Sequence, residues 1–378
     1  MVNNGLKRDC LPLPEGIRQL LAKGVEEGVF AGASVGIVSG TVDKRQQWQG
    51  FYGNRQLIPS PLPLTEDTFY DLASLTKPLA TTLAILSLIN DGLLDLEAKL
   101  PELLSCSVPA AKKDITLRQL LSHSSGLAAH HPFYLQLKDL PPDSRKAAML
   151  DLIMADPLLA QPGSKAVYSD LGFMLLGWIV EEKSGVSLDG FVRERIYRPL
   201  ALEEKLFFRP LTEKWSSARN VAATEQCPWR GKVLVGEVSD DNCHVLGGVA
   251  GQAGLFGNLQ AVMTLTTFLL DCWQGRARHP AFSNELLAGF LKKDGQVPGS
   301  SWALGFDTPS PQGSSAGKYF HPASVGHLGF SGTSFWIDPQ RDLVVVLLTN
   351  RVHPRRDNNG IKAFRPLFHD AVIETLGG

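Results

Sequence analysis

Residues 73–78 read Ala73-Ser74-Leu75-Thr76-Lys77-Pro78, and a helical pattern follows them. Side chains three positions apart share one face of a helix, so Ser74 and Lys77 can approach each other. Pro78 indicates the first turn of that helix, because proline has no N–H and is tolerated where N–H groups lack an intrahelical partner. Ser74 is therefore predicted at or near the helix N-terminus, where the helix dipole favours a developing alkoxide.

A serine and a lysine in this arrangement suggest a nucleophile with a proton acceptor beside it. A free serine hydroxyl is a poor nucleophile and needs a nearby base. A lysine becomes that base only where burial or a neighbouring cation lowers its pKa. The tetrad alone is a weak signal, because a capping serine followed by a solvated lysine gives the same pattern.

Two further stretches of the sequence contain residues that could belong to the same site as Ser74 and Lys77. Tyr168-Ser169-Asp170 precedes an apolar helix, and the tyrosine is either a phenol that relays protons or a packing residue before an N-cap. The glycine-rich stretch 326–333 contains three glycines in seven positions and runs into a strand. Such spacing indicates close approach of a ligand or of another backbone segment.

The surrounding pattern predicts strands at both ends of the chain and helices between them. Helices are expected over 13–29, from 74 to the stop at 91–92, and over 364–376; strand pairs are expected over 33–53 and 334–350. This order predicts an α+β fold, in which one antiparallel sheet flanked by helices is assembled from both termini. The expected division is a sheet domain of 1–95 and 240–378 and a mainly helical domain of 96–239.

Taken together and in this order, the three stretches resemble the serine β-lactamase and penicillin-binding protein superfamily. The resemblance is greatest to class C β-lactamase-like esterases and D-amino-acid peptidases. Ser-x-x-Lys matches Ser74 and Lys77, the Tyr-x-Asn position falls on Tyr168 and Asp170, and Lys-Thr-Gly falls on 327–329. Supporting stretches lie at 115–127, 246–255 and 348–354, so the resemblance covers the chain from about Leu13 to its end.

The resemblance implies a serine hydrolase that acts through an acyl-enzyme on a small ester, amide or β-lactam, without cofactor or metal. It implies Ser74 as nucleophile, Lys77 and Tyr168 as its proton-handling partners, and an oxyanion hole made by the backbone N–H groups of Ser74 and Phe330. The residues expected to bind substrate are Asp170, His327, Gly329 and Phe330. A β-lactamase or D-alanyl carboxypeptidase proper, an acyltransferase and a non-catalytic binding protein of the same fold stay open as alternatives.

Two departures from the family pattern bear on the substrate. Asp170 stands where the family has asparagine, and an ionised carboxylate only accepts hydrogen bonds. Asp170 is also placed to pair with Lys77, which would raise the pKa of that lysine and weaken it as a base. His327 replaces a lysine that would bind a substrate carboxylate, so both changes argue against β-lactamase activity and favour neutral esters.

Composition excludes several other classes of function. The 378 residues carry a net charge of -1, which gives no reason to expect nucleic acid or an anionic membrane as partner. The N-terminus has no long apolar core typical of a signal peptide, and no apolar stretch approaches the ~20 residues that span a bilayer. Five scattered cysteines form no CxxC pair, so a reducing cytoplasm is the preferred location, although a chain trimmed of its leader would look the same.

Several other residues have a chemical interpretation that the sequence does not favour. Ser34 lies in a Gly-x-Ser-x-Gly pattern, but strand residues follow it where a nucleophile elbow needs a helix. His123 is assigned a structural hydrogen bond, and adjacent His130 and His131 lack the spacing of a helical metal pair. The glycines at 248, 251 and 254 indicate a tight backbone passage; Asn350 and Arg351 either face the cleft or form a solvated strand end.

Overall fold

The computed structural model describes residues 10–212 and 220–376. Its main sheet has seven strands, with the order β1-β3-β2-β12-β11-β10 and with β4 paired to β3. The strands are β1 (Leu11–Pro12), β2 (Gly32–Ser39), β3 (Gln46–Gln56), β4 (Leu62–Pro63), β5 (Phe69–Asp71), β6 (Leu206–Phe208), β7 (Ala223–Cys227), β8 (Lys232–Val235), β9 (Leu255–Asn258), β10 (Val325–Leu328), β11 (Ser334–Asp338) and β12 (Leu343–Thr349).

Twelve α-helices are assigned in the described residues. They are α1 (Glu15–Glu26), α2 (Thr82–Asn90), α3 (Leu100–Leu103), α4 (Leu117–Leu121), α5 (Tyr134–Leu137), α6 (Pro142–Ala155), α7 (Asp170–Ser184), α8 (Leu188–Val192), α9 (Asp241–Val245), α10 (Leu259–Trp273), α11 (Asn284–Phe290) and α12 (Ile361–Leu376). Within the described ranges, no helix is both long enough and apolar enough to cross a membrane.

The main sheet is buried on both faces, which explains why β12 reads as a continuous apolar run. Successive side chains of a strand point to opposite faces. Leu343, Val345 and Leu347 pack in the cluster that contains α1 and α12, whereas the alternate residues of β12 join the larger cluster that contains α10. This architecture confirms the predicted α+β fold, with a sheet built from both ends of the chain.

The predicted strand pairs are present, with small differences at their edges. β2 pairs with β3 and β11 pairs with β12, both antiparallel. Among the described residues, β1 pairs with β3 in parallel, and at this edge the main sheet departs from the antiparallel sheet that was expected. Helix α1 is shorter than the expected 13–29, and α12 begins three residues before the expected 364. The expected division at 95 and 240 stays a prediction.

The helix after the Ser74 tetrad begins irregularly. A 3-10 turn, Ala73–Leu75, is followed by a π-helical turn, Lys77–Thr81, which continues into α2. Pro78 occupies the start of the π-helical turn, where its missing N–H costs no hydrogen bond. Ser74 therefore lies at the N-terminal end of this helical segment, as the sequence predicts.

A glycine-rich passage between α9 and β9 presses against α7. A Cβ atom on Gly251 would lie 1.9 Å from the carbonyl oxygen of Phe173 and 2.8 Å from the backbone nitrogen of Gly177. The next residue, Gln252, points its own carbonyl oxygen at Lys77, 3.1 Å from Nζ. The tight passage expected from the glycines is thus confirmed, and it brings an acceptor to the buried lysine.

We predict that Gly251→Ala lowers the free energy of unfolding by about 1–3 kcal/mol, because the added methyl group would overlap a backbone that cannot yield locally. The measurement is equilibrium denaturation in urea. Gly289→Ala is the matched control, since a Cβ atom there meets nothing within 4 Å. Equal stability of the two variants would contradict this account of the passage.

Candidate active site

Ser74 is held in a strained turn by hydrogen bonds from several parts of the fold. The preceding Ala73 has φ of 48°, in the left-handed region that non-glycine residues rarely adopt. The Asp71 carboxylate accepts the Ala73 N–H at 2.8 Å and the Ser239 N–H at 2.7 Å. Burial raises the pKa of Asp71 to about 6. Ser331 donates to the Asp71 carbonyl oxygen at 2.8 Å, which ties this turn to the glycine-rich stretch.

Lys77 forms three hydrogen bonds inside the site. Its side chain is wholly buried, and Nζ donates to Ser74 Oγ at 3.1 Å, to Asp170 Oδ1 at 2.7 Å and to the Gln252 carbonyl oxygen at 3.1 Å. These three acceptors use all three N–H bonds of an ammonium group. Nζ also lies 4.8 Å from the centroid of the Tyr168 ring.

The charges fix the protonation states of this cluster. Burial is the largest single effect on the pKa of Lys77 and lowers it, but Asp170 and Tyr168 together more than offset burial, so this pKa lies above the ordinary value. Burial opposes ionisation of Asp170, yet Lys77 and His130 hold the pKa of that carboxyl well below its usual range. The expected pairing of Lys77 with Asp170 is confirmed, and Lys77 is a cation at neutral pH.

Tyr168 completes the group around the nucleophile. Burial raises the pKa of its phenol, whereas Lys77 and Ser74 partly offset this by charge and hydrogen bonding. Its ring stacks on Trp302, with 5.5 Å between ring centroids and 23° between planes. Tyr168 is therefore a neutral phenol beside an ammonium group and a serine hydroxyl.

Helix α7 fixes the position of Asp170. Ser169 caps this helix by accepting the Gly172 N–H at 3.1 Å, and His123 Nδ1 accepts the Ser169 N–H at 3.1 Å. The structural role expected for His123 is thus observed. Asp170 also contacts His130, with 3.4 Å between Oδ2 and Nδ1, and the hydrogen bond raises the pKa of this histidine.

His327 carries no charge in this environment. It is buried at the end of β10, where burial and the positive charge of Lys77 lower its pKa to about 3. Its Nδ1 lies 2.8 Å from the carbonyl oxygen of Leu328, so Nδ1 is the protonated nitrogen and Nε2 is bare. Nε2 is buried and has no hydrogen-bond partner among the described residues. The lysine charge that the family pattern would place here is absent.

Gly329 and Phe330 follow His327 at the cavity wall. A Cβ atom on Gly329 would lie 2.0 Å from Thr333 Oγ1 and 2.8 Å from the Leu72 carbonyl oxygen, so only glycine fits this crossing. Phe330 is half exposed, with 51% of its surface accessible. In the described part of the chain, the backbone N–H groups of Ser74 and Phe330 have no hydrogen-bond acceptor.

One cavity of about 550 Å³ unites the predicted residues. It is lined by Ser74, Tyr168, Asp170, His327, Gly329 and Phe330, and Lys77 lies just beneath it. Sequence reasoning missed several of its residues as site candidates, among them His130, Trp302, Asp240, Arg356 and Arg365. Trp302 and Arg365 were missed because they lie in stretches of sequence without a recognisable motif. His130 was missed because it reaches the cavity only where its loop packs beside Asp170, at the start of α7.

Of the remaining candidate residues, Arg351 lines the cavity, whereas Ser34 and Asn350 do not. Ser34 lies inside β2, is buried, and shares a hydrogen bond of 2.8 Å with the Tyr70 hydroxyl, away from the cavity. Asn350 is also buried and accepts the Gly32 N–H at 2.8 Å. Arg351 lines the cavity and is only 6% exposed, so of the two alternatives left open for it the cleft-facing one is observed and the solvated strand end is not.

One group of potential metal ligands lies outside the nucleophile cluster in the described residues. Glu225, Cys227 and Asp241 bring ligand atoms within 4.8 Å of one another. Both carboxylates already pair with arginine, Glu225 with Arg356 and Asp241 with Arg230. Glu225 and Asp241 therefore belong to a buried network of ion pairs.

Comparison with known proteins agrees with the geometry. The profile described as Beta-lactamase matches residues 17–365. The chain belongs to the Beta-lactamase family. A protein of Escherichia coli K12 named "Putative D-alanyl-D-alanine carboxypeptidase" is 32% identical over 324 residues, which cover 80% of this chain and 73% of that protein. This Beta-lactamase family member is a serine hydrolase.

Solved structures show the same fold at lower sequence identity. One is "EstCE1, a hydrolase with promiscuous acyltransferase activity", with a TM-score of 0.71, 22% identity and coverage of 94% of this chain and 97% of that one. Another is the octameric penicillin-binding protein homologue from Pyrococcus abyssi, with a TM-score of 0.71, 20% identity and coverage of 96% and 77%. Both likenesses support the Beta-lactamase fold.

We predict that Asp170→Asn lowers the free energy of unfolding at pH 7 by about 3–5 kcal/mol, because it leaves the Lys77 cation buried without its partner. A carboxyl whose pKa is lowered by folding stabilises the fold above its unfolded pKa of ~3.9, and this contribution is lost only as the pH falls through the lower folded value. The deficit of the variant should therefore persist from pH 7 down to about pH 4.

The measurement is denaturation in guanidinium chloride at several pH values. Asp143→Asn is the matched control, because Asp143 also lies in the first turn of a helix but is exposed. The ion-pair account fails if the Asp170 and Asp143 variants lose the same stability at pH 7.

Proposed function

We propose that the protein hydrolyses a carboxylic ester or amide through a covalent acyl group on Ser74. One observation carries the proposal: the buried Lys77 ammonium group donates to Ser74 Oγ at 3.1 Å, at the wall of a cavity of about 550 Å³. A cation at this position stabilises negative charge as it develops on Oγ. The cavity size is within the range of small-molecule sites.

The charge state of Lys77 directs the proton through Tyr168. A protonated lysine cannot accept the Ser74 proton, whereas a phenol can accept one proton while it donates its own. As the bond from Oγ to the substrate carbonyl carbon forms, the Ser74 proton passes to Tyr168 Oη. In the same concerted transfer Tyr168 gives its own proton to the leaving-group atom, so Oη never holds two protons, and the bond from that atom to carbon breaks. Lys77 keeps its protons throughout and stabilises the oxygen.

The backbone N–H groups of Ser74 and Phe330 are the proposed oxyanion hole. Their lack of protein acceptors supports this role, because a developing oxyanion needs donors that are not already engaged. Water then attacks the acyl group, and Tyr168 accepts a proton of that water while it donates its own proton to Ser74 Oγ, whose bond to the acyl carbon breaks. No step requires a metal or a cofactor.

Amide and ester substrates remain alternatives for the natural reaction. The name of the Escherichia coli relative favours a D-alanyl peptide. EstCE1, a hydrolase with promiscuous acyltransferase activity, favours an acyl acceptor other than water as a second outcome. Adding an alcohol or an amine during turnover and analysing the products separates hydrolysis from acyl transfer. For the location of the protein in the cell, the cytoplasm expected from the sequence stays a prediction.

We predict that Ser74→Ala abolishes turnover of a short-chain p-nitrophenyl ester, because the atom that forms the acyl bond is removed. Ser34→Ala, the matched control, should keep near wild-type activity, since Ser34 is buried in β2 away from the cavity. The assay is ester hydrolysis by folded protein. A dead Ser34 variant with an active Ser74 variant would reassign the nucleophile.

We predict that Tyr168→Phe slows acylation by at least about 100-fold, the usual scale for loss of a positioned acid or base. Lys77→Ala should slow it by at least a similar factor, about 100-fold, because it removes the cation that stabilises negative charge on Ser74 Oγ. Rapid-mixing kinetics of the acylation burst measure this step directly. Tyr319→Phe serves as control, because Tyr319 lies outside the cavity lining and is 42% exposed. A normal burst rate in the Tyr168 variant would rule out the relay.

A further inference from the structure

Asp307 is a partly buried carboxylate at the cavity wall that the proposed acyl transfer does not use. It lines the cavity together with Trp302, Tyr168 and His327. Burial raises the pKa of Asp307 to about 6, so the carboxylate is ionised at neutral pH. This part of the cavity wall therefore carries a negative charge that has no role in the reaction at Ser74.

Local hydrogen bonds engage only one oxygen of the Asp307 carboxylate. Its Oδ1 accepts the Ser301 hydroxyl group at 2.7 Å and the Thr308 N–H at 3.0 Å. Its Oδ2 has no hydrogen-bond partner in the described part of the chain, and it is not one of the buried atoms that lack a partner there. Because an ionised carboxylate accepts hydrogen bonds at both oxygens, Oδ2 is open to a donor that enters the cavity.

No lysine, arginine or histidine within residues 10–212 and 220–376 forms an ion pair with Asp307. The charge of Lys293 lowers the pKa of this carboxyl, but by less than burial raises it. Two other carboxylates of the cavity are neutralised, since Asp170 pairs with Lys77 and Asp241 pairs with two arginines. A desolvated charge without a counter-ion is costly, and a bound cation relieves that cost.

Asp240 is a second cavity carboxylate without an ion pair in the described residues, but its surroundings differ from those of Asp307. Burial and the charge of Asp170 raise the pKa of Asp240, and the positive charges of His130 and Lys77 oppose that rise. Two cations of the protein therefore already act on Asp240. Asp307 is the carboxylate that is left for a ligand to neutralise.

Neutral groups line the cavity beside Asp307. The Trp302 ring stacks on Tyr168, and its centroid lies 5.8 Å from that of the His327 ring. His327 is uncharged, and its buried Nε2 is an acceptor without a donor among the described residues. The face of an indole ring attracts a cation. A free carboxylate oxygen, an indole ring and a bare imidazole nitrogen together suit a ligand that brings positive charge and N–H donors.

A short hairpin holds Trp302 and Asp307 opposite each other. The two residues form an antiparallel bridge, and the Asp307 N–H donates to the Gly326 carbonyl oxygen at 2.8 Å, which joins the hairpin to β10. At the turn, Gly305 has φ of 79°, and a Cβ atom there would lie 2.0 Å from Thr82 Oγ1 at the start of α2. The carboxylate and the ring are thus held in place before a ligand binds, which lowers the entropy cost of binding.

We propose that the substrate of this site carries an ammonium group, which binds between the Asp307 carboxylate and the Trp302 ring. The inference rests on the proposed acyl transfer by Ser74 and names its substrate class. It extends the expected preference for neutral esters to cationic ones. It also gives a reason for the histidine at position 327, because a lysine there would repel the cation, whereas a neutral histidine does not.

The test uses two pairs of substrates that differ only in one positive charge. The first pair is butyrylthiocholine and S-(3,3-dimethylbutyl) thiobutyrate, so the charge is on the leaving group. The second pair is the p-nitrophenyl ester of Nα-acetyl-lysine and that of Nα-acetyl-2-aminoheptanoic acid, both as racemates, so the charge is on the acyl group. The readout is the ratio of kcat/KM for the cationic member to kcat/KM for the neutral member of each pair.

In at least one pair, Asp307→Asn should lower that ratio by about ten- to a hundredfold relative to the wild type, the scale of a charge-assisted hydrogen bond. Trp302→Leu should lower the ratio in the same pair, because it removes the ring that contacts the cation. Both members of a pair are measured on the same sample. The ratio therefore does not depend on the fraction of a variant that folds, or on a loss of activity that both members share.

Glu285→Gln is the matched control, because Glu285 is exposed in the first turn of α11 and lies outside the cavity lining. It should keep the wild-type ratios. If Asp307→Asn keeps them as well while hydrolysis still depends on Ser74, the ammonium site is overturned and the proposed function stands. A ratio that falls in Asp240→Asn but not in Asp307→Asn would also overturn the assignment. No Ser74-dependent hydrolysis of any of the four substrates would overturn both proposals.

Discussion

The rest of the site depends on one buried cation, the ammonium group of Lys77. Its three hydrogen bonds bring together the nucleophile Ser74, the first residue of α7, Asp170, and the carbonyl oxygen of Gln252. Each acceptor comes from a different segment, so the placement of the cation requires the whole fold. Asp170 helps to keep this lysine charged. In the proposed mechanism, the charged Lys77 stabilises the serine oxygen and Tyr168 moves the proton.

The charged side chains are unevenly distributed along the cavity. Close to the nucleophile, the charges of Lys77 and Asp170 balance, and His327 is neutral because burial and the lysine charge both oppose its protonation. Further along, the guanidinium groups of Arg351 and Arg365 donate to backbone carbonyl oxygens.

The residues near Ser74 could be predicted from the sequence because local spacing places them together. The tetrad, the capped helix after Tyr168 and the glycine stretch each form one local structure, and the family pattern links them. Sequence did not predict the irregular helical turns before α2. The Asp71 carboxylate that accepts the N–H of Ala73, whose φ is 48°, also accepts the N–H of Ser239, which is distant in sequence. Arg365 was missed for a similar reason: its helix has no motif, and its proximity to the cavity arises only when α12 packs on the sheet.

The central claim is that Ser74 forms the covalent bond to substrate, and labelling with a fluorophosphonate tests it most directly. Intact mass spectrometry gives the number of labels, peptide mapping gives their position, and residual ester hydrolysis is followed in parallel. The account predicts one phosphonyl group per chain on Ser74, with activity lost in proportion to labelling. Inactivation with the label on another residue, or full activity when Ser74 is completely labelled, would contradict it.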